Sequence, residues 1–289
     1  MKNHFYQQFR VFLFILVFSI VGNISFSQTQ NELFVKVNVD PNLIISQQLY
    51  SPTACAPAAI LNALRFGNKD LQSFYSKIEG DDAKQKLNSI IKKFGQKNSH
   101  VEANSVLFDD KVGMKADDIL PFFNHVLGDF NHEPVQGLYF DRLSGESTND
   151  HLKRIHRLLV HSIKNGCPPV ISIRSFAAQF DQNDNKFKWQ GVSAHVIVIT
   201  KVPANLDSFQ KGFSFTFIEP DSGSLCEGYL HIEEIRGFAA IKGSGETNFA
   251  WLADSPFLLI TGPNLNLGSN RQDWFCRTFI TFNYGVGKF

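Results

Sequence analysis

Apolar residues recur along this chain in two different rhythms, one before and one after about residue 134. Between residues 54 and 128 they return every three or four positions, which is typical of helices with one buried face. The predicted helices are Cys55–Phe66, Leu71–Ile78, Ala83–Phe94 and Ala116–Leu127. Pro121 indicates a kink or a late start in the last of them. Ahead of the helices, the alternation over Leu33–Val39 is typical of a half-buried strand.

After Pro134 the pattern changes to short apolar runs separated by turn residues, which is typical of a sheet. One amphipathic helix, Asp150–Lys164, interrupts this pattern. The predicted strands are Val135–Leu143, Val170–Phe176, Phe187–Gln190, Ser193–Val202, Phe213–Glu219, Gly228–Ile232, Phe257–Thr261 and Phe275–Phe282. Helices followed by a mainly antiparallel sheet predict an α+β fold, with a helical lobe at about 45–130, a sheet lobe at about 134–289 and a cleft between them.

Residues 1–27 have the three zones of a secretory signal peptide. Two basic residues precede an apolar run over 11–21, and small residues end the segment. This run of 11 residues, apolar except for Ser19, is too short to cross a bilayer, which needs about 20. We therefore expect cleavage after Ser27, a secreted or periplasmic protein without an integral membrane segment after processing, and one domain over 28–289.

The charge of the chain is nearly balanced, with 28 Lys and Arg against 27 Asp and Glu, and no basic tail or stripe stands out. Neither nucleic acid nor an anionic membrane surface is therefore an expected partner, and a peptide-like or small partner is favoured. The four cysteines are too few for a disulfide framework and lack metal-ligand spacing, so we expect no metal and no cofactor; they are Cys55, Cys167, Cys226 and Cys276. Disulfide pairing and oligomeric state stay open.

Cys55 is the first candidate for chemistry, because a polar loop runs into a helix there. Pro57 is tolerated only in the first turn of a helix and so indicates a start near Cys55. Unpaired N–H groups and the positive end of the helix dipole stabilise a thiolate, the nucleophilic form of cysteine. Acyl transfer also needs oxyanion donors, for which the Cys55 N–H and the amide of Gln47 or Gln48 are candidates. The alternative is a small buried cysteine at a loop–helix junction.

His195 is the candidate base, because it begins an apolar strand in which its ring nitrogens need hydrogen-bond partners. The next strand ends in Glu219-Pro220-Asp221. An antiparallel neighbour would bring Glu219 or Asp221 beside the imidazole and hold its tautomer. The alternatives are an ordinary core histidine and acidic residues that only build a turn.

This order of glutamine, cysteine, histidine and acid resembles the papain-like cysteine peptidases, and more closely the bacteriocin-processing (double-glycine leader) peptidase-like family. The matching motifs, spread over about residues 45–230, are Gln48, Cys55-Ala56-Pro57-Ala58, Ile163–Val170, His195-Val196-Ile197-Val198 and Glu219-Pro220-Asp221-Ser222-Gly223. The resemblance implies a papain-like fold in which Cys55 attacks a peptide or amide carbonyl and His195 carries the proton. It further implies that Glu219 orients the imidazole and that Gln48 helps to bind the oxyanion.

Three features of the sequence depart from the family pattern. Ala56 replaces the usual glycine, the glutamine-to-cysteine spacing is slightly longer, and Glu219 stands where the family has aspartate. The spacing leaves the choice between Gln47 and Gln48 open. The glutamate leaves Asp221 as a second candidate for the orienting acid.

Two other functions are compatible with the same residues. An acyl or peptidyl transferase is one, because Ile60–Leu64 also resembles the helix of the phytochelatin synthases, which use the same kind of nucleophile. A binding module that retains the fold without catalysis is the other, and the three departures favour it. Whether water or an amine accepts the acyl group distinguishes hydrolase from transferase, and the reactivity of Cys55 distinguishes an enzyme from a binding module.

Overall fold

The computed structural model describes residues 33–181, 186–233, 239–240, 257–262, 265 and 278–289. The predicted signal peptide with its cleavage site, Cys276 and the start of the predicted strand Phe275–Phe282 lie outside these residues. The part of the sequence that carries the candidate site, from the glutamine loop to the acidic turn, lies within them apart from 182–185.

Five α-helices form within the described residues, close to where the apolar periodicity predicts them. They are α1 (Cys55–Phe66), α2 (Lys69–Lys77), α3 (Ala83–Ile90), α4 (Ala116–Gly128) and α5 (Thr148–Lys164). The prediction of one α-helix to Phe94 is wrong in its last four residues, since α3 gives way to a π-helical turn at Ile91–Gly95. A late start at Pro121 is also wrong, because α4 begins at Ala116 and runs through the proline. Side chains of Asn68, Asp82 and Ser147 accept N–H groups at the starts of α2, α3 and α5, which explains those boundaries.

The described strands are β1 (Phe34–Lys36), β2 (Gln136–Tyr139), β3 (Val170–Asp181), β4 (Lys186–Pro203), β5 (Gly212–Glu219), β6 (Ser224–Glu233), β7 (Ala239–Ala240), β8 (Phe257–Thr261) and β9 (Thr278–Gly287). β1 and β2 are shorter than predicted.

The separation of Phe187–Gln190 from Ser193–Val202 is wrong, since both belong to β4. Ser193 pairs with Ser175 and Gly191 with Phe176, so Val192 is an extra residue that a bulge absorbs. A glycine and a serine that look like a turn therefore lie within one strand.

Strand pairing closes a ring. The order β4-β3-β9-β8-β6-β5 returns to β4 because β5 also pairs with β4, and all six pairings are antiparallel. β1 and β2 extend the sheet antiparallel to β4 and β9, while the short β7 runs parallel to β4. Helices combined with a mainly antiparallel sheet make this an α+β fold.

β4 lies between two apolar cores. Val196 and Val198 pack in the core that contains α1, and ten of the twelve residues of that helix are buried. Ile197 and Ile199 pack in the second core, with residues of α5 and the inner positions of β5. A strand buried on both faces is what its continuous apolar run predicts. Within the described residues, no helix has both the length and the apolar character that a membrane span requires.

Candidate active site

Cys55 is the first residue of α1 and is partly exposed. Ala54, at the N-cap position, has no side chain that caps the helix. A serine or aspartate at that position would occupy an N–H group of the first turn. The positive end of α1 is therefore open to an anion, either the Cys55 thiolate or a developing oxyanion.

His195 is hydrogen-bonded on both sides of its ring. It lies in the interior of β4 rather than at the beginning of a strand, and it is 7% exposed. Its Nε2 lies 2.6 Å from Glu219 Oε1, and its ring also hydrogen-bonds the side chain of Cys55. Because Nε2 faces the carboxylate, Nδ1 is the nitrogen left for the thiol. The three side chains thus form a linear chain of acid, imidazole and thiol.

The charges around His195 keep its ring protonated. Burial by itself lowers the pKa of His195, but the hydrogen bonds to Cys55 and Glu219, together with the negative charges of both groups, raise it to about 10. An imidazolium beside the sulfur of a cysteine is the arrangement that cysteine nucleophiles use.

The acidic residue that ends β5 and the one in the turn after it have different partners. Glu219 is 3% exposed, and its Oε1 accepts from the Asp221 backbone N–H at 2.8 Å as well as facing His195. Asp221 Oδ1 instead accepts from Gln48 Nε2 at 2.5 Å and from Gln47 Nε2 at 3.1 Å. The structure therefore brings Glu219, and not Asp221, to the imidazole.

The two glutamines differ in how many amide hydrogens they have left. Gln47 is 3% exposed, and its Nε2 donates to both Pro52 O, at 2.5 Å, and Asp221. Its Oε1 is buried without a hydrogen-bond partner among the described residues. Gln48 is exposed, and within the described part of the chain its Nε2 has Asp221 as its one acceptor. An amide nitrogen carries two hydrogens, so one N–H remains on Gln48 and none on Gln47.

Asn62 is a site-building residue that the sequence reasoning missed. It is fully buried in α1, where its Oδ1 accepts the Ile45 N–H at 2.9 Å and its Nδ2 donates to Ile45 O at 2.9 Å and to Ala58 O at 3.0 Å. These bonds attach the chain just before the glutamines to the helix that begins with Cys55. An amide within an otherwise apolar helix was the signal that could have found it.

Two turns, one at Pro220 and one over residues 109–113, hold the loop over residues 46–54 in place. The Gln47 N–H donates to Pro220 O at 2.8 Å, which ties the loop to the acidic turn. Thr53 Oγ1 donates to Asp110 O at 2.9 Å. Gly113, at φ +81°, approaches so closely that a Cβ there would lie 2.9 Å from Thr53 O. With Asn62 in α1, these contacts fix the donors of the loop relative to Cys55.

The other described cysteines lie in different surroundings. Cys167 is fully buried, and burial raises the pKa of its thiol to about 11. Cys226 is 4% exposed and its Sγ lies 3.4 Å from Ser224 Oγ. Of the three described cysteines, Cys55 is the one that combines solvent access with a hydrogen bond to a histidine.

No metal centre is found within the residues that the structure describes, since they contain no group of three or more His, Cys, Asp or Glu side chains arranged to hold an ion. Comparison of the chain with protein-family models, with curated proteins and with solved structures finds no match. The geometry around Cys55 and His195 is therefore the basis for any statement about its chemistry.

Proposed function

We propose that this chain is a papain-like cysteine hydrolase that cleaves peptide or amide bonds, with Cys55, His195 and Glu219 as its catalytic triad. The observation that carries the proposal is the buried ring of His195, bonded to Glu219 at 2.6 Å on one side and to Cys55 on the other. A histidine with only a structural role is satisfied by backbone carbonyls, as His156 is by Pro203 O at 2.8 Å.

In the first half of the reaction the Cys55 thiolate adds to the carbonyl carbon of the substrate, forming a C–S bond and an oxyanion. The C–N bond then breaks as the His195 imidazolium gives its proton to the departing amine. The products of this half are a free amine, a thioester on Cys55 and a neutral imidazole.

In the second half a water molecule gives a proton to His195 as its oxygen adds to the thioester carbon. The C–S bond breaks, the carboxylic acid leaves, and the thiolate–imidazolium pair is restored. Glu219 acts throughout by holding the His195 ring in one orientation and stabilising its positive charge.

Gln48 is the side-chain donor that the hydrogen count favours for the oxyanion. Its remaining N–H is oriented by the bond from the same nitrogen to Asp221. The backbone N–H groups at the open start of α1 supply further donors. Gln47 has both amide hydrogens engaged and is better suited to holding the loop together.

The test is cleavage of a fluorescence-quenched peptide library by the full chain. We expect turnover by the wild type, none by Cys55→Ala, and largely unchanged turnover by the matched variant Cys167→Ala, whose thiol is buried and lies outside the triad. Equal product formation by wild type and Cys55→Ala would remove the proposed role of this cysteine.

Two measurements, product analysis in the same assay and alkylation of Cys55, separate the two other functions. An amine acceptor in the products, rather than water, would make the protein an acyl or peptidyl transferase with the same nucleophile. A Cys55 side chain that is inert towards alkylating reagents in folded protein would favour a binding module that keeps the fold without catalysis.

The proposed location is extracytoplasmic, secreted or periplasmic, and the partner is a peptide or protein substrate. The support is the zonal pattern of residues 1–27, which lie outside the described residues. For a hydrolase of peptide bonds, export would keep its activity away from newly made cytoplasmic proteins.

A further inference from the structure

A groove of about 620 Å³ lies between α5 and the segment that follows β4. A volume of this size is within the usual range for small-molecule sites, about 300 to 1,000 Å³. One wall is a stripe of α5 whose members are three or four residues apart and so lie on one face of the helix: Lys153, Arg157, His161 and Lys164. The other wall is formed by residues 204–206.

The charge of the groove is unbalanced, although the charge of the chain is nearly neutral. Lys153, Arg157 and Lys164 face it with one carboxylate, Asp150, whose Oδ2 accepts from Ser147 Oγ at 2.6 Å. Within the described residues, no carboxylate lies within salt-bridge distance of these three cations.

A neighbouring arginine on the same helix shows what a purely structural cation looks like here. Arg154 donates to Glu146 through Nε at 2.7 Å and through Nη2 at 3.0 Å, and to Asp141 O at 2.6 Å. Arg157 instead donates from Nε to Lys153 O at 3.3 Å, and among the described residues the two terminal nitrogens of its guanidinium have no further acceptor and can pair with a ligand.

A favourable interaction with the helix dipole explains the position of only one of the three cations in the stripe. Lys164 lies in the last turn of α5, where a cation is favourable. Lys153 and Arg157 lie in the second and third turns, where the dipole offers no such gain, so the dipole does not explain why they line the groove.

A hydrogen bond joins the two walls of the groove, and two of its lining residues are apolar. His156 Nε2 donates to Pro203 O at 2.8 Å, which attaches the wall after β4 to the helix. Val160 and Leu206 are half-buried and lie among the lining residues. A ligand that fits both features has an apolar or ring-shaped body and negative groups at its edge.

We infer that this groove binds a small organic anion with two or more phosphate, sulfate or carboxylate groups. The anionic groups pair with Lys153, Arg157 and Lys164, and the body of the ligand lies on Val160 and Leu206. Lys153 and Arg157 are four residues apart, so their backbone positions are separated by about 6 Å along the helix axis, and two cations at separate positions favour a ligand with two anionic groups. The groove shares no residue with Cys55, His195 and Glu219, and its function does not depend on theirs.

The experiment is isothermal titration calorimetry of the full chain at low salt, with fructose 1,6-bisphosphate as the two-phosphate probe and fructose 6-phosphate as the one-phosphate probe. We expect the bisphosphate to bind at least about tenfold more tightly. The double variant Lys153→Gln with Arg157→Gln should lose about tenfold or more in affinity for the bisphosphate, with an unchanged melting temperature.

The matched control is Lys92→Gln with Arg142→Gln, which removes two exposed cations that do not line the groove. It should bind like the wild type. Equal losses in the two double variants would mean a general charge effect and would overturn the inference. The same holds if heparin binds through Lys153 and Arg157 while neither sugar phosphate does, because the ligand would then be an extended polyanion.

Discussion

At the scale of single residues, the pair of Cys55 and His195 determines how this protein should react with alkylating reagents. The protonated ring of His195 and the open start of α1 are the two groups that act on the sulfur of Cys55. We expect iodoacetamide to label Cys55 at pH 6 at least about tenfold faster than it labels free cysteine. Peptide mapping by mass spectrometry measures this rate for Cys55 separately from the other cysteines.

His195→Ala should slow that labelling at pH 6, because it removes the imidazolium. Cys167 serves as the internal control and should stay unlabelled in folded protein, since it is fully buried and burial raises the pKa of its thiol. If Cys55 reacts no faster than free cysteine in protein that is shown to be folded, the thiolate–imidazolium pair does not exist in solution.

Glu219 should set the alkaline limit of activity. The carboxylate helps to raise the pKa of His195 to about 10, and the ring must be protonated to give its proton to the leaving amine. Glu219→Gln removes a contribution that raises this pKa, so the alkaline limb of the kcat/KM profile should move to lower pH by about 1 to 2 units. Asp207→Asn, at an exposed carboxylate away from the triad, should leave the profile in place. If the alkaline limb of the kcat/KM profile stays in place in Glu219→Gln, Glu219 does not affect the pKa of His195.

At the scale of elements, the end of β5 and the turn after it contact two neighbours, β4 through Glu219 and the glutamine loop through Asp221. Asp221→Ala should lower kcat by about tenfold or more through the loss of a fixed amide on Gln48, with a smaller change in KM. The alkaline limb should stay as in the wild type, because the carboxylate beside His195 remains. Steady-state kinetics across pH measure both effects.

A double-variant comparison makes this prediction specific. If Asp221 acts through Gln48, then Gln48→Ala should lower kcat by a similar factor, and the two substitutions together should cost little more than either alone. Fully multiplicative losses would mean that Asp221 and Gln48 act independently of each other.

Asn62 should contribute to the stability of the fold. Asn62→Leu keeps the size of the side chain but leaves the buried N–H and C=O of Ile45 without partners. We expect it to lower the free energy of unfolding by about 2 to 4 kcal/mol, measured by urea denaturation. Asn88→Leu in α3 is the control, because the described residues offer its side chain no hydrogen bond, and it should change stability far less. Equal stability of the Asn62 and wild-type proteins would contradict the anchoring role.

At the scale of the whole molecule, export should remove the first 27 residues. Cleavage after Ser27 predicts a mature chain that begins at Gln28, which N-terminal sequencing of protein from the extracytoplasmic fraction would identify. Replacing Ser27 with a bulky residue such as Trp should block this processing, because the cleavage site needs small side chains. Secreted protein that begins at Met1 would contradict the expectation.

The groove between α5 and the segment that follows β4 can also be recognised only in the whole structure. Along the sequence Lys153, Arg157 and Lys164 are four and seven residues apart, and mostly apolar residues lie between them, so they do not form a continuous basic run. The helix gathers them on one face, and the segment after β4 closes the other side. A nearly neutral net charge therefore does not exclude an anion site on this protein.

The sequence by itself determined what depends on near neighbours: the helices, most of the strands, and the position of Cys55 at the start of α1. Periodicity, Pro57 and the capping side chains act within a turn or two, so they are readable without the fold. Only the tertiary structure decided that Phe187–Gln190 and Ser193–Val202 are one strand, because pairing with β3 is what absorbs Val192 as a bulge.

The tertiary structure was likewise needed to decide between Glu219 and Asp221 and between the two glutamines. Both choices depend on hydrogen bonds across 24 to 174 residues of chain, whose existence is set by the register of β4 with β5 and by the packing of the loop against α1. A shift of one residue in that register would turn the opposite set of side chains towards Cys55. Local patterns contain no information about such a register, so the sequence names the candidates and the three-dimensional packing selects among them.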